Sequence, residues 1–240
     1  MIKRLLSVML ACALLLSAAA VFTSCGEEAE FPVKIGSITV EKEPENIVIL
    51  DKNLADIISA IGYDVKMVGR SDDVDQKGLK VAPSMGTAQD PSVTNIIKAK
   101  AEIVFTDKSL NDADDAKLKK AGVIVAQFES ANTLKQLRSL YVKIGRMLGG
   151  NNTGRVAAVK AFKEIRDTLT AVKTAAKRDK TVSTLAYLYA DNGVLKTVNS
   201  GCWASTVLDY TGSVNVFKNA ETDVVDINNL MLADPNYIFV

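Results

Sequence analysis

The sequence predicts an α/β protein of two lobes, each with a mainly parallel sheet, joined by one long helix. Short apolar runs typical of buried strands alternate with segments of helical periodicity, which indicates parallel strands connected by crossover helices. Two successive helical segments, 133–148 and 152–176, interrupt this alternation. Residues 92–106 also align without a gap with residues 226–240, as expected for two related lobes; the alternative is that any two α/β units share this pattern.

The elements of the first lobe, assigned to residues 43–150, follow from local spacing. Residues 47–50 form an apolar strand-like run, and residues 51–53, Asp-Lys-Asn, offer side-chain caps for a helix whose apolar residues recur at helical spacing until Gly62. The remaining predictions for this lobe are strands at 65–68, 103–105 and 123–126, and helices that begin at 90–92 and span 111–120.

The middle of the chain predicts the connection between the lobes. Gly149 and Gly150 separate the two helical segments, and the second segment would be about 35 Å long at the usual rise per residue. We therefore assign residues 151–178 to a long connecting helix. Residues 179–240 are assigned to a second lobe, which begins with a strand at 181–189.

The N-terminus is typical of an exported protein. Lys3 and Arg4 precede an apolar run over residues 5–21, which is shorter than the roughly 20 residues of a membrane-spanning helix, so a signal peptide is predicted. Residues 22–25, Phe-Thr-Ser-Cys, resemble the bacterial lipobox, whose cysteine becomes the first residue of the mature protein and carries lipid.

This processing defines the mature chain. We expect a lipoprotein signal peptide at residues 1–24, lipidation of Cys25, and a tether with the first strand at residues 25–42. The alternatives are ordinary cleavage after Ala20 and an uncleaved anchor, and both of these also export the chain. The expected location is the outer face of the cell membrane, with the lipid as anchor, or the periplasm.

Composition excludes several classes of function. Without residues 1–24 the chain has 27 basic and 28 acidic residues, a balance that gives no electrostatic basis for binding nucleic acid. Histidine is absent, which excludes histidine-based catalytic triads and the usual histidine-containing zinc sites. Once Cys12 is removed and Cys25 is acylated, Cys202 is the remaining cysteine. We therefore expect no disulfide framework, no metal site and no cofactor.

Several segments, taken in order, resemble a known family. They are EPENIVILDKNLADIISAIGYDVKMVGRS (43–71), MGTAQDPSVTNIIKAKAEIVFTD (85–107), LKKAGVIVAQFESANTLKQLRSLYVKIGRMLGG (118–150), TLAYLYADNG (184–193), NSGCWASTVLDYTGSVNVF (199–217) and DINNLMLADPNYIFV (226–240). Together they resemble the bacterial substrate-binding proteins of ABC importers for iron-siderophores, haem and cobalamin. The resemblance implies a helical-backbone periplasmic binding protein, in which ligand lies in a cleft between two lobes that move only slightly about their hinge.

The chain departs from this family in two places. The resemblance implies an acidic residue near the start of the equivalent helix in each lobe, where it meets arginines of the permease. Thr94 and Asn228 occupy those positions, and nearby carboxylates, Asp90 in the first lobe and Asp226 or Asp223 in the second, would replace them in docking. The family also continues beyond the position of Val240, so we expect the second lobe to be incomplete.

Candidate ligand-binding residues follow from a general property of parallel sheets. Ligands bind beyond the carboxyl ends of the strands, near helix N-termini that offer free amides. This rule selects Asp51, Asn53, Arg70, Gly86, Thr87 and Lys108 in the first lobe, and Tyr189, Gly201 and Trp203 in the second. Trp203 would stack on a flat chelate or, alternatively, pack in the core. Arg70 would bind a carboxylate or a macrocycle, or is a solvated loop cation.

The expected function is capture of a metal chelate and its delivery to an ABC permease and its ATPase, without covalent chemistry. An iron-siderophore is the leading ligand, with cobalamin and haem as alternatives. A ligand-free structural surface lipoprotein and a chelatase-like enzyme on the same fold are the competing functions. The enzyme needs histidine or several cysteines, whereas this chain retains Cys202.

Overall fold

A computed structural model describes residues 29–177 and 183–240, which contain two four-stranded sheets, a small N-terminal hairpin and two long helices. The strands are β1 (Val33–Ile35), β2 (Ile38–Val40), β3 (Ile47–Ile49), β4 (Met67–Arg70), β5 (Ile103–Thr106), β6 (Ile124–Gln127), β7 (Thr184–Asp191), β8 (Val194–Thr197), β9 (Val214–Asn215) and β10 (Tyr237–Phe239). The α-helices are α1 (Lys52–Ile61), α2 (Val93–Lys98), α3 (Asp112–Lys120), α4 (Leu134–Gly149), α5 (Arg155–Ala176), α6 (Trp203–Leu208) and α7 (Ile227–Ala233).

The sheet of the first lobe has the order β4-β3-β5-β6, and all of its strands are parallel. Every residue of β3 and β5 is buried, because helices cover both faces of a parallel sheet. The predicted strands at 47–50, 103–105 and 123–126 are therefore confirmed to within a residue. The predicted strand at 65–68 is wrong at its start, because Asp64–Lys66 form a 3-10 turn that leaves Val65 exposed.

The sheet of the second lobe is organised around the eight-residue strand β7. The first half of β7 pairs in parallel with β9 and β10, and its second half pairs antiparallel with β8. Asn192 and Gly193 connect β7 to β8 with positive φ angles of 49° and 78°, as a tight hairpin turn requires. Both sheets together confirm the predicted α/β class with mainly parallel strands.

Helices α4 and α5 form an antiparallel hairpin. The Tyr141 ring meets the edge of Phe162, with 6.0 Å between centroids, and Gly145 lies so close to Gly154 that a Cβ on either residue would overlap the other's backbone. A π-helical turn, Gly150–Gly154, joins the two helices, so the predicted break at 149–150 is confirmed and α5 starts three residues later than predicted. At 22 residues α5 is about 33 Å long.

The N-terminal segment is held at this hairpin junction. The Glu30 carboxylate accepts hydrogen bonds from the backbone N–H of Asn152 (2.8 Å), from that of Thr153 (3.0 Å) and from the Thr153 hydroxyl (2.6 Å). These bonds favour the charged form and hold the pKa of Glu30 below its ordinary value. The Asn151 side chain also donates to the Ala29 carbonyl at 2.8 Å, so the chain enters the fold at a fixed point.

The two aligned segments form the same unit in both lobes. Helix α2 follows Ser92 and leads to β5, and helix α7 follows Asp226 and leads to β10. Lys100 and Asp234 occupy matching positions, and both adopt the left-handed conformation, with φ angles of 55° and 42°. The predicted repetition of a helix-turn-strand unit is confirmed.

Candidate functional site

A cavity of about 360 Å³ lies where the first lobe, the helical hairpin and the second lobe meet; we call it the interlobe cavity. Three of its lining residues come just after strands of the first lobe: Asp51 after β3, Asp107 after β5 and Phe128 after β6. Because β3, β5 and β6 are adjacent and parallel, their carboxyl ends meet at one edge of the sheet. The remaining lining residues are Asn53, Leu54, Asp56, Ile57, Ser130, Ala131, Asn132, Leu137, Leu140, Ile165 and Trp203.

Asp51 is the most buried polar group in this lining, with 7% of its surface exposed. Its Oδ1 accepts a hydrogen bond from the backbone N–H of Leu54 at 2.7 Å, so the residue caps the N-terminus of α1 as predicted. Burial is the main cause that raises the pKa of Asp51, and the carboxylates of Asp107 and Asp73 add to it. The site therefore holds a carboxylate whose charge is poorly compensated.

Trp203 forms the second-lobe wall of the cavity. It is the first residue of α6, is half-buried, and also lines a neighbouring depression of about 310 Å³ together with Ile165 of α5. Three residues further on, the Thr206 hydroxyl donates to the Asn132 carbonyl at 2.6 Å and links the second lobe to the loop after β6. The indole ring thus lies at the boundary between the two lobes.

An adjoining depression of about 470 Å³ extends the cavity along α4. The two share Phe128, Ser130, Ala131 and Leu140, so the loop after β6 forms the wall between them. Phe128 stacks on the buried Phe105, with 6.4 Å between ring centroids, and this contact fixes the start of the loop. A ligand larger than the interlobe cavity would have room to extend over this loop.

Of the residues predicted to bind ligand, the structure brings three together in this cavity: Asp51, Asn53 and Trp203. The other six lie outside its lining: Arg70, Gly86, Thr87, Lys108, Tyr189 and Gly201.

Arg70 and the turn after β4 form a neighbouring polar group at the same end of the first lobe. The Arg70 Nη1 donates to the Ser71 carbonyl at 2.9 Å, while its Nε is buried and has no hydrogen-bond partner among the residues that the structure describes. Gly86 has a φ of 82°, and a Cβ there would overlap the Asp90 carbonyl oxygen. Thr87 and Asp90 close this turn with two backbone-linked hydrogen bonds, so it has a structural role whether or not it contacts ligand.

The remaining three predicted residues are at the surface. Lys108 is exposed, and its backbone N–H and carbonyl both bond to the Thr106 hydroxyl. Tyr189 faces solvent from β7, on the same side as Tyr187. Gly201 is exposed at a φ of 91° in the turn before α6, where it allows the chain to reach Trp203.

Sequence reasoning missed most of the apolar lining. Ile57, Leu137, Leu140 and Ile165 belong to apolar series at helical spacing in α1, α4 and α5, and such spacing indicates the buried face of a helix without telling core from cavity. Phe128 could have been found, because it follows β6 as Asp51 follows β3, and the same rule on strand ends applies to both.

Neither a metal centre nor a membrane-spanning helix is found in the parts of the chain that the structure describes. Residues 29–177 and 183–240 contain no group of three or more histidine, cysteine, aspartate or glutamate side chains placed to hold a metal ion. Within the same ranges no helix is long and apolar enough to cross a bilayer. Cys202 is a free, half-buried thiol whose Sγ contacts the Asn199 carbonyl at 3.5 Å. Cys25 and residues 1–24 lie outside the described residues.

The four residues predicted to dock the permease are exposed. Asp90 and Thr94 lie in the turn before α2 and in its first turn, and Asp226 and Asn228 lie at the corresponding end of α7. Asp226 also caps α7, since its Oδ1 accepts a hydrogen bond from the Asn229 N–H at 2.7 Å. The two helix starts thus present matching polar surfaces, one on each lobe.

Two α/β lobes around a helical hairpin, with an aromatic-lined cavity between them, define the chain as a two-lobed binding protein. Residues 47–240 match the sequence profile of the periplasmic binding protein family, and the chain belongs to this family. A solved structure described as a possible iron-binding (periplasmic solute-binding) protein from Staphylococcus epidermidis ATCC 12228 superposes with a TM-score of 0.71 and 16% identity. The superposition covers 82% of this chain and 77% of that chain.

Two relatives illustrate the range of the family. The Fe(3+) dicitrate-binding periplasmic protein FecB of Escherichia coli (strain K12) is 31% identical over 123 residues, which cover 48% of this chain and 40% of FecB. YvrC of Bacillus subtilis (strain 168), an uncharacterized ABC transporter substrate-binding lipoprotein, is 28% identical over 190 residues, or 70% of this chain and 60% of YvrC. The chain spans about half the length of the curated relatives it matches.

Proposed function

We propose that the protein is an extracytoplasmic receptor of an ABC importer, which captures a metal chelate and passes it to the permease without covalent chemistry. The observation that carries this proposal is the interlobe cavity, which combines Trp203 and Phe128 with a few polar groups. Aromatic rings flanked by sparse polar groups suit a bulky, flat or cage-like ligand. An iron-siderophore is the leading ligand, and cobalamin or haem are the alternatives.

Trp203 gives a direct test, because it is the only tryptophan of the chain. We expect its emission in the full-length mature protein to be quenched saturably by a ferric siderophore, by cyanocobalamin or by haem. By calorimetry, Trp203→Leu, which keeps apolar bulk but removes the ring, should weaken the binding of the same chelate about fivefold, since aromatic stacking contributes on the order of 1 kcal/mol beyond burial. Tyr189→Phe, outside the cavity, is the matched control and should leave the affinity unchanged.

The competing functions give different results in the same experiments. A structural surface lipoprotein would show no change in emission with any of the chelates. A chelatase-like enzyme would insert metal into a free porphyrin with turnover, which a receptor would not do. Either result would replace the receptor proposal.

The proposal includes export and a lipid anchor. It divides the chain into a signal peptide (1–24), a tether with the first strand (25–42), the first lobe (43–150), the connecting helix (151–178) and the second lobe (179–240). Cys25 is the proposed lipid site, and the lipoprotein relative YvrC supports this assignment. Cys25→Ser should release the protein from the membrane fraction and remove the mass of the lipid from the mature N-terminus.

Docking to the permease is proposed through the two exposed helix starts. Asp90 and Asp226 carry the negative charges there, and Thr94 and Asn228 lie beside them. Replacing both carboxylates, Asp90→Asn with Asp226→Asn, should slow ligand uptake into cells without changing ligand affinity. Asn is expected to preserve the helix cap at position 226, so a loss of uptake would report on charge.

A further inference from the structure

The interlobe cavity has an unbalanced set of charges. Its lining includes the carboxylates of Asp51, Asp56 and Asp107, whereas no lysine or arginine is part of it, as far as the described residues go. Asp51 is almost fully buried, and Asp56 accepts one hydrogen bond, at 2.9 Å, from the neutral Gln76 amide. The negative charge of the cavity is therefore not neutralised by its own walls.

The part of the second lobe that the structure describes adds no cation without a carboxylate partner. Residues 183–240 contain two lysines against six acidic residues. Lys196 lies 3.1 Å from an Asp191 oxygen and 3.2 Å from an Asp223 oxygen, and Lys218 lies 2.5 Å from an Asp209 oxygen. Both lysines thus already have carboxylate partners, and residues 183–240 carry a net negative charge.

The cations of the first lobe nearest in sequence to the lining are placed elsewhere. Lys52, Lys108, Lys135 and Arg138 are exposed and outside the lining, and Lys143 lines the adjoining depression. Arg70 is outside the lining as well, with its Nη1 engaged by the Ser71 carbonyl. An anionic ligand in the cavity would meet the carboxylates of Asp51, Asp56 and Asp107, and the repulsion would be screened least at the buried Asp51.

The carboxylates in and near the cavity also raise the pKa values of neighbouring groups. Burial raises the pKa of the Tyr141 hydroxyl, and the nearby carboxylates of Asp56 and Glu164 raise it further. Asp107 likewise contributes to the raised pKa of Asp51. Clefts lined by one sign of charge concentrate ligands of the opposite sign and exclude those of the same sign.

We infer that the interlobe cavity selects a metal chelate of zero or positive net charge and rejects anionic chelates. This inference rests on the proposed receptor function and narrows its ligand class. Neutral corrinoids and hydroxamate complexes with a free ammonium group fit it, whereas ferric citrate, catecholate complexes and haem with ionised propionates do not.

The test uses ligands that share a shape and differ in charge. One series is ferrioxamine B (+1) with its N-acetyl (0) and N-succinyl (−1) derivatives, and the other is aquacobalamin (+1), cyanocobalamin (0) and cyanocobalamin monocarboxylate (−1). Ferric dicitrate and haem are added as anionic ligands. Titration of Trp203 emission in the full-length mature protein should give an anionic member at least about tenfold weaker than the cationic member of the same series.

The outcomes separate the inference from the receptor function. If the anionic member of a series binds as tightly as the cationic one, or if only ferric dicitrate or haem binds, the receptor function stands and the inference is wrong. Loss of such anionic binding in Arg70→Gln would identify the cation responsible. If no chelate in the panel binds, the receptor proposal fails and the inference fails with it.

Matched variants locate the charges. Asp56→Asn and Asp107→Asn keep shape and remove one charge each, so each should reduce the preference for the cationic over the anionic ligand about fivefold. Asp112→Asn, an exposed residue of α3 outside the cavity, is the control and should leave the preference unchanged. Added salt should also reduce the preference, because screening weakens long-range charge effects. If neither the aspartate variants nor added salt changed the preference, ligand shape and not charge would be its cause, and the inference would be wrong.

Discussion

The two lobes use the same helix-turn-strand unit, residues 92–106 in the first lobe and 226–240 in the second, but bury it to different degrees. Both units place a left-handed residue eight positions after the helix cap and then a strand that pairs in parallel with its neighbour. In the first lobe Ile103, Val104 and Phe105 are fully buried. In the second lobe Tyr237, Ile238 and Phe239 are each exposed by half or more.

The difference lies in the neighbours of the strand and not in its sequence. Strand β5 lies between β3 and β6, whereas β10 is an edge strand among the residues that the structure describes. Local pattern therefore fixes the conformation of the unit, and its contribution to stability depends on what packs around it. Three pairs of variants test this comparison, from the largest expected effect to the smallest.

Truncating the aromatic residue of β5 and that of β10 should give the largest difference in the free energy of unfolding between the two lobes. Phe105→Ala removes a fully buried ring that stacks on Phe128 and should lower the free energy of unfolding by about 3–5 kcal/mol. Phe239→Ala removes a ring that is 50% exposed and should cost about 1 kcal/mol. Urea unfolding followed by far-ultraviolet circular dichroism measures both. Equal costs would show that burial does not distinguish the lobes.

Glycines with positive φ give a second pair. Gly86→Ala in the first lobe combines a φ of 82° with overlap of the new Cβ and the Asp90 carbonyl, so we expect a loss of more than about 2 kcal/mol. Gly193→Ala in the β7–β8 turn has a φ of 78° but open space around the Cβ, so about 1 kcal/mol is expected. Thermal unfolding of the two variants checks the order. A larger loss at Gly193 would contradict it.

The aspartate caps of α1 and α7 give the smallest effect, which depends on pH. Burial raises the pKa of Asp51 in the folded chain, so folded protein holds this proton more tightly than unfolded protein does. Below the pKa of Asp51 in the unfolded chain, about 3.9, the protonated side chain imposes no penalty on folding. As the pH rises through the higher pKa of the folded chain, the side chain ionises in its buried position and the free energy of unfolding falls. Asn at position 51 caps the helix equally well but cannot ionise. The free energy of unfolding of Asp51→Asn, relative to that of the wild type, should therefore increase between pH 4 and pH 7.

The control for this pair is Asp226→Asn, which changes an exposed cap of the same geometry. The urea midpoints of both variants are compared with the wild type at the two pH values. The shift with pH should be larger for the Asp51 variant. A smaller shift, or one of opposite sign, would show that the buried carboxylate is stabilised in its charged form.

The fold could be predicted from the sequence because its signals are local. Helical spacing after Asp51, the apolar runs of β3 and β5, and the glycine pair at 149–150 each depend on a few neighbouring residues. The start of β4 was missed because the apolar Val65 resembles a strand residue, whereas its backbone forms a 3-10 turn. Residue type alone does not distinguish these conformations.

The site was predicted less completely, because it depends on distant parts of the chain. The rule for strand ends selected Asp51, and the aromatic after a glycine turn selected Trp203, and both side chains line the interlobe cavity. The rule does not say which strand ends face the other lobe, so Arg70 and Lys108 were selected although they lie outside the cavity. The side chains of α4 and α5 complete the lining only once the hairpin has formed.

The attachment of Glu30 to the hairpin junction has a mechanical consequence. From the proposed lipid on Cys25 to Glu30 the chain advances five residues, which is at most about 18 Å when fully extended. The Glu30 carboxylate accepts hydrogen bonds from the backbone N–H groups of Asn152 and Thr153, so the segment between Cys25 and the fold cannot become longer unless those hydrogen bonds break. With lipid on Cys25, as proposed, the hairpin junction would stay within about 18 Å of the bilayer surface, so the reach of the receptor above the membrane would be set by its own dimensions.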